Sequence, residues 1–222
     1  MSIITSEKKF TLANIREHVV GIDKQVPLYD GTFRQYINFD NAASTPILKP
    51  VLEKVNEFME WYSSIHRGTG FKSQLSTYMH DKSREIVARF VNVDLDTHTI
   101  IFGKNATEAL NKLAHRLPIS PSQVILVSSM EHHSNDLPWR TRAKVVHVGI
   151  DEQGRLLVDD LIAKLEKYQG QVALFAVTGA SNVTGWVNDI HHLAEICHRY
   201  NVPIVVDAAQ LIPHRKVDML PQ

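Results

Sequence analysis

Residues 124–135 read Val-Ile-Leu-Val-Ser-Ser-Met-Glu-His-His-Ser-Asn. The stretch opens with consecutive aliphatic residues, as expected for a strand that is covered on both faces of a sheet. Polar and titratable side chains follow directly, from Ser128 to Asn135. Ligands of open α/β sheets bind in the crevice outside the carboxyl ends of the strands. The stretch therefore predicts a buried parallel strand with functional side chains at its carboxyl end.

Apolar runs and polar clusters alternate along the rest of the chain from Thr99 onward. Besides 124–127, the runs that we predict to be strands are 99–102, 145–148, 172–177 and 203–206. The spacing of apolar residues between the runs predicts helices over 106–116, 158–168 and 189–200. Strands that alternate with helices in this way predict an α/β fold, in which helices flank a mostly parallel sheet.

The N-terminal part of the chain has weaker periodicity. We predict an arm over 1–35, with a short helix around 12–19, followed by a large domain over 36–222. A short strand at 36–40 and two helices, the first beginning near Pro50, should open this domain. A glycine-rich loop that contains His66 and Arg67 separates the two helices.

Composition restricts the classes of function. The chain has 24 basic and 24 acidic residues, which argues against a nucleic-acid partner, and one cysteine, which excludes an internal disulfide. No apolar run reaches the length of a membrane helix, and the N-terminus lacks the apolar core of a signal peptide. We therefore expect a soluble protein with a cytoplasmic location that binds neither nucleic acid nor membrane.

Polar clusters follow the predicted strands at 105–108, 131–135, 181–185 and 207–210. The first opens a helix, whose free N–H groups and dipole bind phosphate, and the Thr107 hydroxyl adds a donor. Asn105 and Glu108 also fit a helix-capping pair, and both roles are compatible. A plain turn is the alternative for the third cluster.

The second and fourth clusters indicate an aromatic ligand. A neutral imidazole in 131–135 can stack on a ring and exchange protons near pH 7. Asp207 follows a run of aliphatic residues, where a carboxylate is costly unless paired, and a protonated pyridine nitrogen is a suitable partner. A capping role is the alternative for Asp207. Taken together, the clusters suit pyridoxal phosphate better than a nucleotide, and we expect no metal.

An ordered set of motifs supports this interpretation. The set resembles the class V aminotransferase group of fold-type I pyridoxal-phosphate enzymes, in particular the cysteine desulfurase and selenocysteine lyase branch. The resemblance covers roughly 36–218. Its motifs are Asn-Ala-Ala-Ser-Thr-Pro from Asn41, His-Arg-Gly from His66, Ala-Thr-Glu-Ala-Leu-Asn from Ala106, Met-Glu-His-His-Ser-Asn from Met130, Ser-Asn-Val-Thr-Gly from Ser181 and Val-Asp-Ala-Ala-Gln from Val206.

The resemblance implies a role for each matching residue. His132 would stack on the pyridine ring of pyridoxal 5'-phosphate and transfer protons, and Asp207 would bind the ring nitrogen. The remaining implied contacts are Asn182 and Gln210 near the phenolic oxygen, Ala106 and Thr107 at the phosphate, and Ala43, His66 and Arg67 toward the substrate or the dimer-related site.

The resemblance also implies an activity, a homodimer and a small amino-acid substrate. Cysteine desulfuration is the first expectation, and another class V activity (aminotransferase, epimerase or lyase) is the alternative. In this family the lysine that bonds the cofactor aldehyde lies farther along the chain than Gln222, as does a small C-terminal domain. We therefore expect that this chain lacks both. A non-catalytic fragment that binds a partner is the alternative from another class.

Overall fold

A computed structural model describes residues 10–11 and 13–219 of the chain. The chain divides into two compact units, Met1–Ser83 and Arg84–Gln222. The sequence analysis divides the chain differently, into an arm over 1–35 and a large domain over 36–222. That division stays a prediction.

The first unit contains a hairpin that the sequence analysis did not predict. Strand β1 (Gln25–Pro27) pairs antiparallel with β2 (Phe33–Gln35), and a 3-10 helix over Ile15–His18 precedes them. That helix is shorter than the one expected around 12–19, and Leu12 lies outside the described residues. The signal for the hairpin is Asp30-Gly31, an Asp-Gly turn pair in which Gly31 has a φ of 81°.

The strand predicted at 36–40 is wrong. Asn38 Oδ1 accepts the backbone N–H of Asp40 at 2.8 Å, and Asp40 Oδ1 accepts that of Ala43 at 3.3 Å. Such local bonds from Asn and Asp side chains compete with a strand ladder for the same backbone groups. The segment therefore turns instead of extending.

Two helices follow, as predicted. Helix α1 spans Lys49–Met59 with Pro50 in its first turn, and α2 spans Phe71–Phe90 across the boundary of the two units. The apolar stripe predicted for α1 is exposed, including Val51, Val55 and Met59.

The second unit contains the parallel sheet. Its strands are β3 (Val124–Ser128), β4 (Lys144–Val148), β5 (Val172–Thr178) and β6 (Ile204–Asp207), all parallel, in the order β4-β3-β5-β6. Its helices are α3 (Ala106–Arg116), α4 (Leu137–Arg140), α5 (Val158–Lys167) and α6 (Ile190–Arg199). The predicted α/β fold is confirmed, and the predicted helices at α3, α5 and α6 agree with the structure to within a residue or two.

Successive residues of each strand bury against opposite helix layers, because side chains alternate across a sheet. On one face Leu126 and Phe175 pack with residues of α5 and α6, including Leu161 and Leu193. On the other face Ile125 packs with residues of α3 and α4, among them Ala114 and Trp139. Both faces are covered, which explains the continuous apolar runs.

The fifth predicted strand, 99–102, is wrong. These residues are not in a strand, and Ile101 is 78% exposed. An apolar run predicts burial, but a strand also needs a neighbour, and none of the four strands pairs with this run in the described part of the chain. Within residues 10–11 and 13–219, no helix combines the length and apolar content that crossing a bilayer requires.

Candidate active site at the carboxyl edge of the sheet

Three neighbouring strands end in polar residues at the same edge. Strand β3 ends at Ser128, β5 at Thr178 and β6 at Asp207. Thr178 and Asp207 are register partners. Because β5 lies between β3 and β6, the segments that follow these strands are brought to one side of the sheet.

Glu131 is the residue at this edge that the sequence analysis missed. Its Oε1 accepts the Thr178 N–H at 2.7 Å and the Ser128 hydroxyl, and its Oε2 accepts Asn135 Nδ2–H at 2.6 Å. Burial raises the pKa of the Glu131 carboxyl to about 7; the three hydrogen bonds oppose this shift, and the charge of Asp207 adds to it. A signal was present, because Glu131 follows an aliphatic strand closely, as Asp207 does.

His132 begins the short 3-10 helix His133–Asn135. Its Nδ1 accepts the backbone N–H of Ser134 at 3.1 Å and lies 2.8 Å from the Ser134 hydroxyl. A backbone N–H only donates, so Nδ1 must present its lone pair, and the proton of the neutral ring is on Nε2. His132 is exposed and therefore offers an Nε2–H donor to solvent or to a ligand.

Asp207 is a buried carboxyl group, 6% exposed, at the end of β6. Its Oδ1 accepts the Ala209 N–H at 3.0 Å. Gln210 is half-buried in the turn that follows, whereas Asn182 is exposed in the loop after β5. In that loop the Ser181 hydroxyl accepts two backbone N–H groups, so the turn reading of 181–185 holds.

The start of α3 has the predicted cap. Asn105 Oδ1 accepts the Glu108 N–H at 2.9 Å, and Glu108 Oε2 accepts the Lys104 N–H at 2.6 Å. The first-turn N–H groups of Ala106 and Thr107 have no acceptor within a helix, and both residues are exposed. The capping pair therefore leaves donors that an anion can use.

The other predicted site residues belong to the first unit. The His66 N–H donates to Thr77 Oγ1 at 2.9 Å, while His66 itself has a φ of 58°. Arg67 and His66 line an open groove of about 810 Å³ together with residues of α2. Ala43 is exposed in the turn after Asp40.

One group in the first unit has the ligand types of a metal site. Side-chain atoms of His66, His80 and Asp81 lie within 4.8 Å of one another, and no other such group occurs in the described part of the chain. The His66 Nε2–Asp81 Oδ1 distance is 3.7 Å, and both side chains are about half exposed. Exposed ion pairs of this kind are common without a metal. The expectation of no metal stays a prediction.

The donors and acceptors of the second unit fit a phosphorylated pyridine. Asp207 offers a buried carboxyl group for a ring nitrogen, His132 offers an exposed imidazole face, and the start of α3 offers N–H donors for phosphate. The fit rests on residue chemistry and, for Asp207 and the segment that contains His132, on the shared sheet edge.

Known proteins resemble the chain over most of its length. The Aminotransferase class-V family profile matches residues 37–221. A probable cysteine desulfurase from Pyrococcus abyssi is 34% identical over 206 residues, which are 89% of this chain and 49% of the relative. One from Borreliella burgdorferi is 32% identical over 216 residues, 91% of this chain and 50% of the relative.

Solved structures agree with these relatives. The apo structure of a cysteine desulfurase from Thermococcus onnurineus NA1 superposes with a TM-score of 0.79 at 28% identity, over 95% of this chain and 50% of that protein. A cysteine desulfurase from Escherichia coli gives a TM-score of 0.67 at 30% identity, over 81% of this chain and 46% of that protein. The chain thus spans about half the length of the relatives that it matches.

Proposed function

Because this chain belongs to the aminotransferase class-V family, we propose that it forms the cofactor-binding part of a pyridoxal-phosphate-dependent cysteine desulfurase. The observation that carries the proposal is the buried carboxyl group of Asp207 at the end of β6. The Ala209 N–H already binds Oδ1, and a cation beside the carboxylate would offset the cost of burying its charge. Relatives whose names state cysteine desulfuration support the choice of activity.

Each proposed contact uses a residue whose place in the structure is described above. Asp207 would hold the ring nitrogen protonated, and the N–H groups of Ala106 and Thr107, with the Thr107 hydroxyl, would bind the phosphate. Asn182 and Gln210 would donate to the phenolic oxygen. Pyridoxal phosphate, when bound, withdraws electrons from the α-carbon of an amino acid.

His132 would lie against the ring and move protons. Because Ser134 donates to Nδ1, the Nε2–H is the atom that gives a proton. Loss of that proton alone would leave an imidazolate, so Nδ1 would take up a proton and give up its bond from Ser134 when Nε2 gives one. This arrangement suits an imidazole that works as an acid and base near neutral pH.

The substrate would be cysteine, with Ala43, His66 and Arg67 on the substrate side or at the dimer-related site. A homodimer is supported by the exposed apolar residues of α1, since large apolar patches mark interfaces. We also propose a cytoplasmic location, because the single cysteine, Cys197, is a buried free thiol.

The test is a titration of the full chain with pyridoxal phosphate, in which binding is monitored by absorbance and fluorescence. Asp207→Asn should weaken binding about tenfold or more, because it removes a charge-assisted contact. Asp96→Asn, at an exposed carboxylate of the same unit, is the matched control and should bind like the wild type. Equal affinity of the Asp207→Asn variant and the wild type would contradict the proposed site. Cysteine binding to the chain loaded with pyridoxal phosphate, compared with serine binding by calorimetry and with free pyridoxal phosphate as the blank, tests the proposed substrate.

A further inference from the structure

The Glu131 carboxyl group joins three separate segments of the second unit. Ser128 is the last residue of β3, Asn135 belongs to the 3-10 helix, and Thr178 ends β5. All three donate to Glu131, and all three are buried residues. A carboxylate matches this set because its two oxygens accept only.

The hydrogen bonds continue on both sides of Glu131. Asn135 Oδ1 accepts Trp139 Nε1–H at 3.2 Å, and both Asn135 and Trp139 are fully buried. The Asn135 N–H donates to the His132 carbonyl at 2.8 Å, which closes the turn that carries the imidazole. On the other side, Thr178 is the register partner of Asp207.

We propose that Glu131 is a positioning residue, which links the His132 turn to β5 and thereby holds the imidazole in the tautomer with its proton on Nε2, at a fixed place relative to Asp207. The inference rests on the proposed function only for what His132 and Asp207 do with a cofactor. The positioning itself is a property of this chain and has its own readout.

The geometry predicts what a glutamine would do at this position. Glutamine has one acceptor oxygen and one amide nitrogen, so it can keep the Thr178 N–H but must turn its NH₂ group toward Asn135 Nδ2. Asn135 cannot flip to accept that NH₂ group, because its oxygen is held by Trp139. Glu131→Gln therefore breaks the link to the His132 turn and keeps the link to β5.

A second substitution should restore the broken link with reversed polarity. In the double variant Glu131→Gln/Asn135→Asp, one oxygen of the new carboxylate accepts from the glutamine and the other accepts from Trp139 Nε1–H. Residue volumes hardly change, so the packing around Trp139 stays the same. Restoration by this pair separates positioning from mere filling of space.

The primary measurement is the pair of ¹⁵N chemical shifts of His132 at about pH 8, where Glu131 is ionised, in the full chain with labelled histidine, assigned with His132→Gln. Wild type should show the Nε2–H tautomer, Glu131→Gln a mixture of tautomers, and the double variant the Nε2–H tautomer again. Glu195→Gln, whose side chain is exposed on α6, is the matched control and should match wild type. Pyridoxal-phosphate affinity should fall about tenfold in Glu131→Gln and return in the double variant.

The inference is overturned if Glu131→Gln keeps the wild-type tautomer, or if the double variant fails to restore it. It is also overturned if neither variant folds, since Glu131 would then act in folding alone. If wild type does not bind pyridoxal phosphate, the proposed function fails, while the His132 shifts still decide the positioning role.

Discussion

The stability of this chain should fall as pH rises through the range in which Glu131 ionises in the fold. Burial raises the pKa of Glu131 from 4.5 to about 7. Below pH 4.5 the carboxyl is protonated in both the folded and the unfolded state. In this range the protonated group makes its full contribution to the free energy of unfolding. Between the two pKa values the folded state holds a proton that the unfolded state has lost, so the free energy of unfolding decreases with pH.

The size of this decrease follows from the two pKa values. One pKa unit corresponds to about 1.4 kcal/mol, so the difference for Glu131 amounts to about 3 kcal/mol. The decrease is complete once pH exceeds the folded-state pKa. Carboxyl groups with a lowered pKa, such as Asp136 and Asp160, stabilise the fold when they are ionised. Their contribution is lost as pH falls, on the acid side of this range. The sign of the Glu131 contribution is therefore opposite to that of ordinary paired carboxylates.

The assay is urea unfolding between about pH 4.5 and pH 8, monitored by tryptophan fluorescence. Wild type and Glu131→Gln are measured side by side. Histidines and other carboxyl groups titrate in both proteins and cancel in the difference. The stability of wild type relative to Glu131→Gln should fall by about 3 kcal/mol across this range. The stability of wild type relative to Glu195→Gln should not change with pH. A difference that rises with pH would refute the reasoning, because the hydrogen bonds to Glu131 would then outweigh its burial.

Three further predictions concern other parts of the chain. Asn105→Ala should lower the free energy of unfolding by about 1 kcal/mol through loss of the α3 cap, while Asn105→Ser should retain most of it; equal stabilities by urea unfolding would contradict this. Burial raises the pKa of the Cys197 thiol to about 12, so a thiol reagent should label it only after unfolding, and prompt labelling of the native chain would count against the fold. Val55→Glu, on the exposed stripe of α1, should reduce self-association by light scattering, whereas Lys54→Glu on the same helix should leave the wild-type level; equal association of both variants would show that this stripe is not the interface.

The four strands of the second unit and its helices α3, α5 and α6 were predictable because their signals are local. Residues 124–127 are an uninterrupted apolar run, and burial on both faces of the sheet accounts for it. Helix α3 begins at its predicted cap because Asn105 satisfies an otherwise free N–H group. Burial and capping each need only a few neighbouring residues, so a single sequence suffices to find them.

The elements that failed depend on partners distant in sequence or on side chains that compete with the backbone. Residues 99–102 are as apolar as the true strands, yet no strand pairs with them in the described part of the chain. Residues 36–40 include Asn38 and Asp40, whose side chains bind the local backbone. Apolar content describes a side chain's preference for burial and contains no information about which strand lies alongside.

The same limit explains why Asp207 was found from the sequence and Glu131 was not assigned a role. Each follows an aliphatic strand, but only the strand order β4-β3-β5-β6 places Thr178 between them, where it donates its N–H to Glu131 and pairs in register with Asp207. Asp207 is buried and Glu131 is half-buried at the same edge; burial is the main cause of the raised pKa of Glu131, and repulsion from the Asp207 charge adds to it. A cationic group beside Asp207 would relieve that repulsion. The protonated pyridine nitrogen that we propose at Asp207 would be such a group.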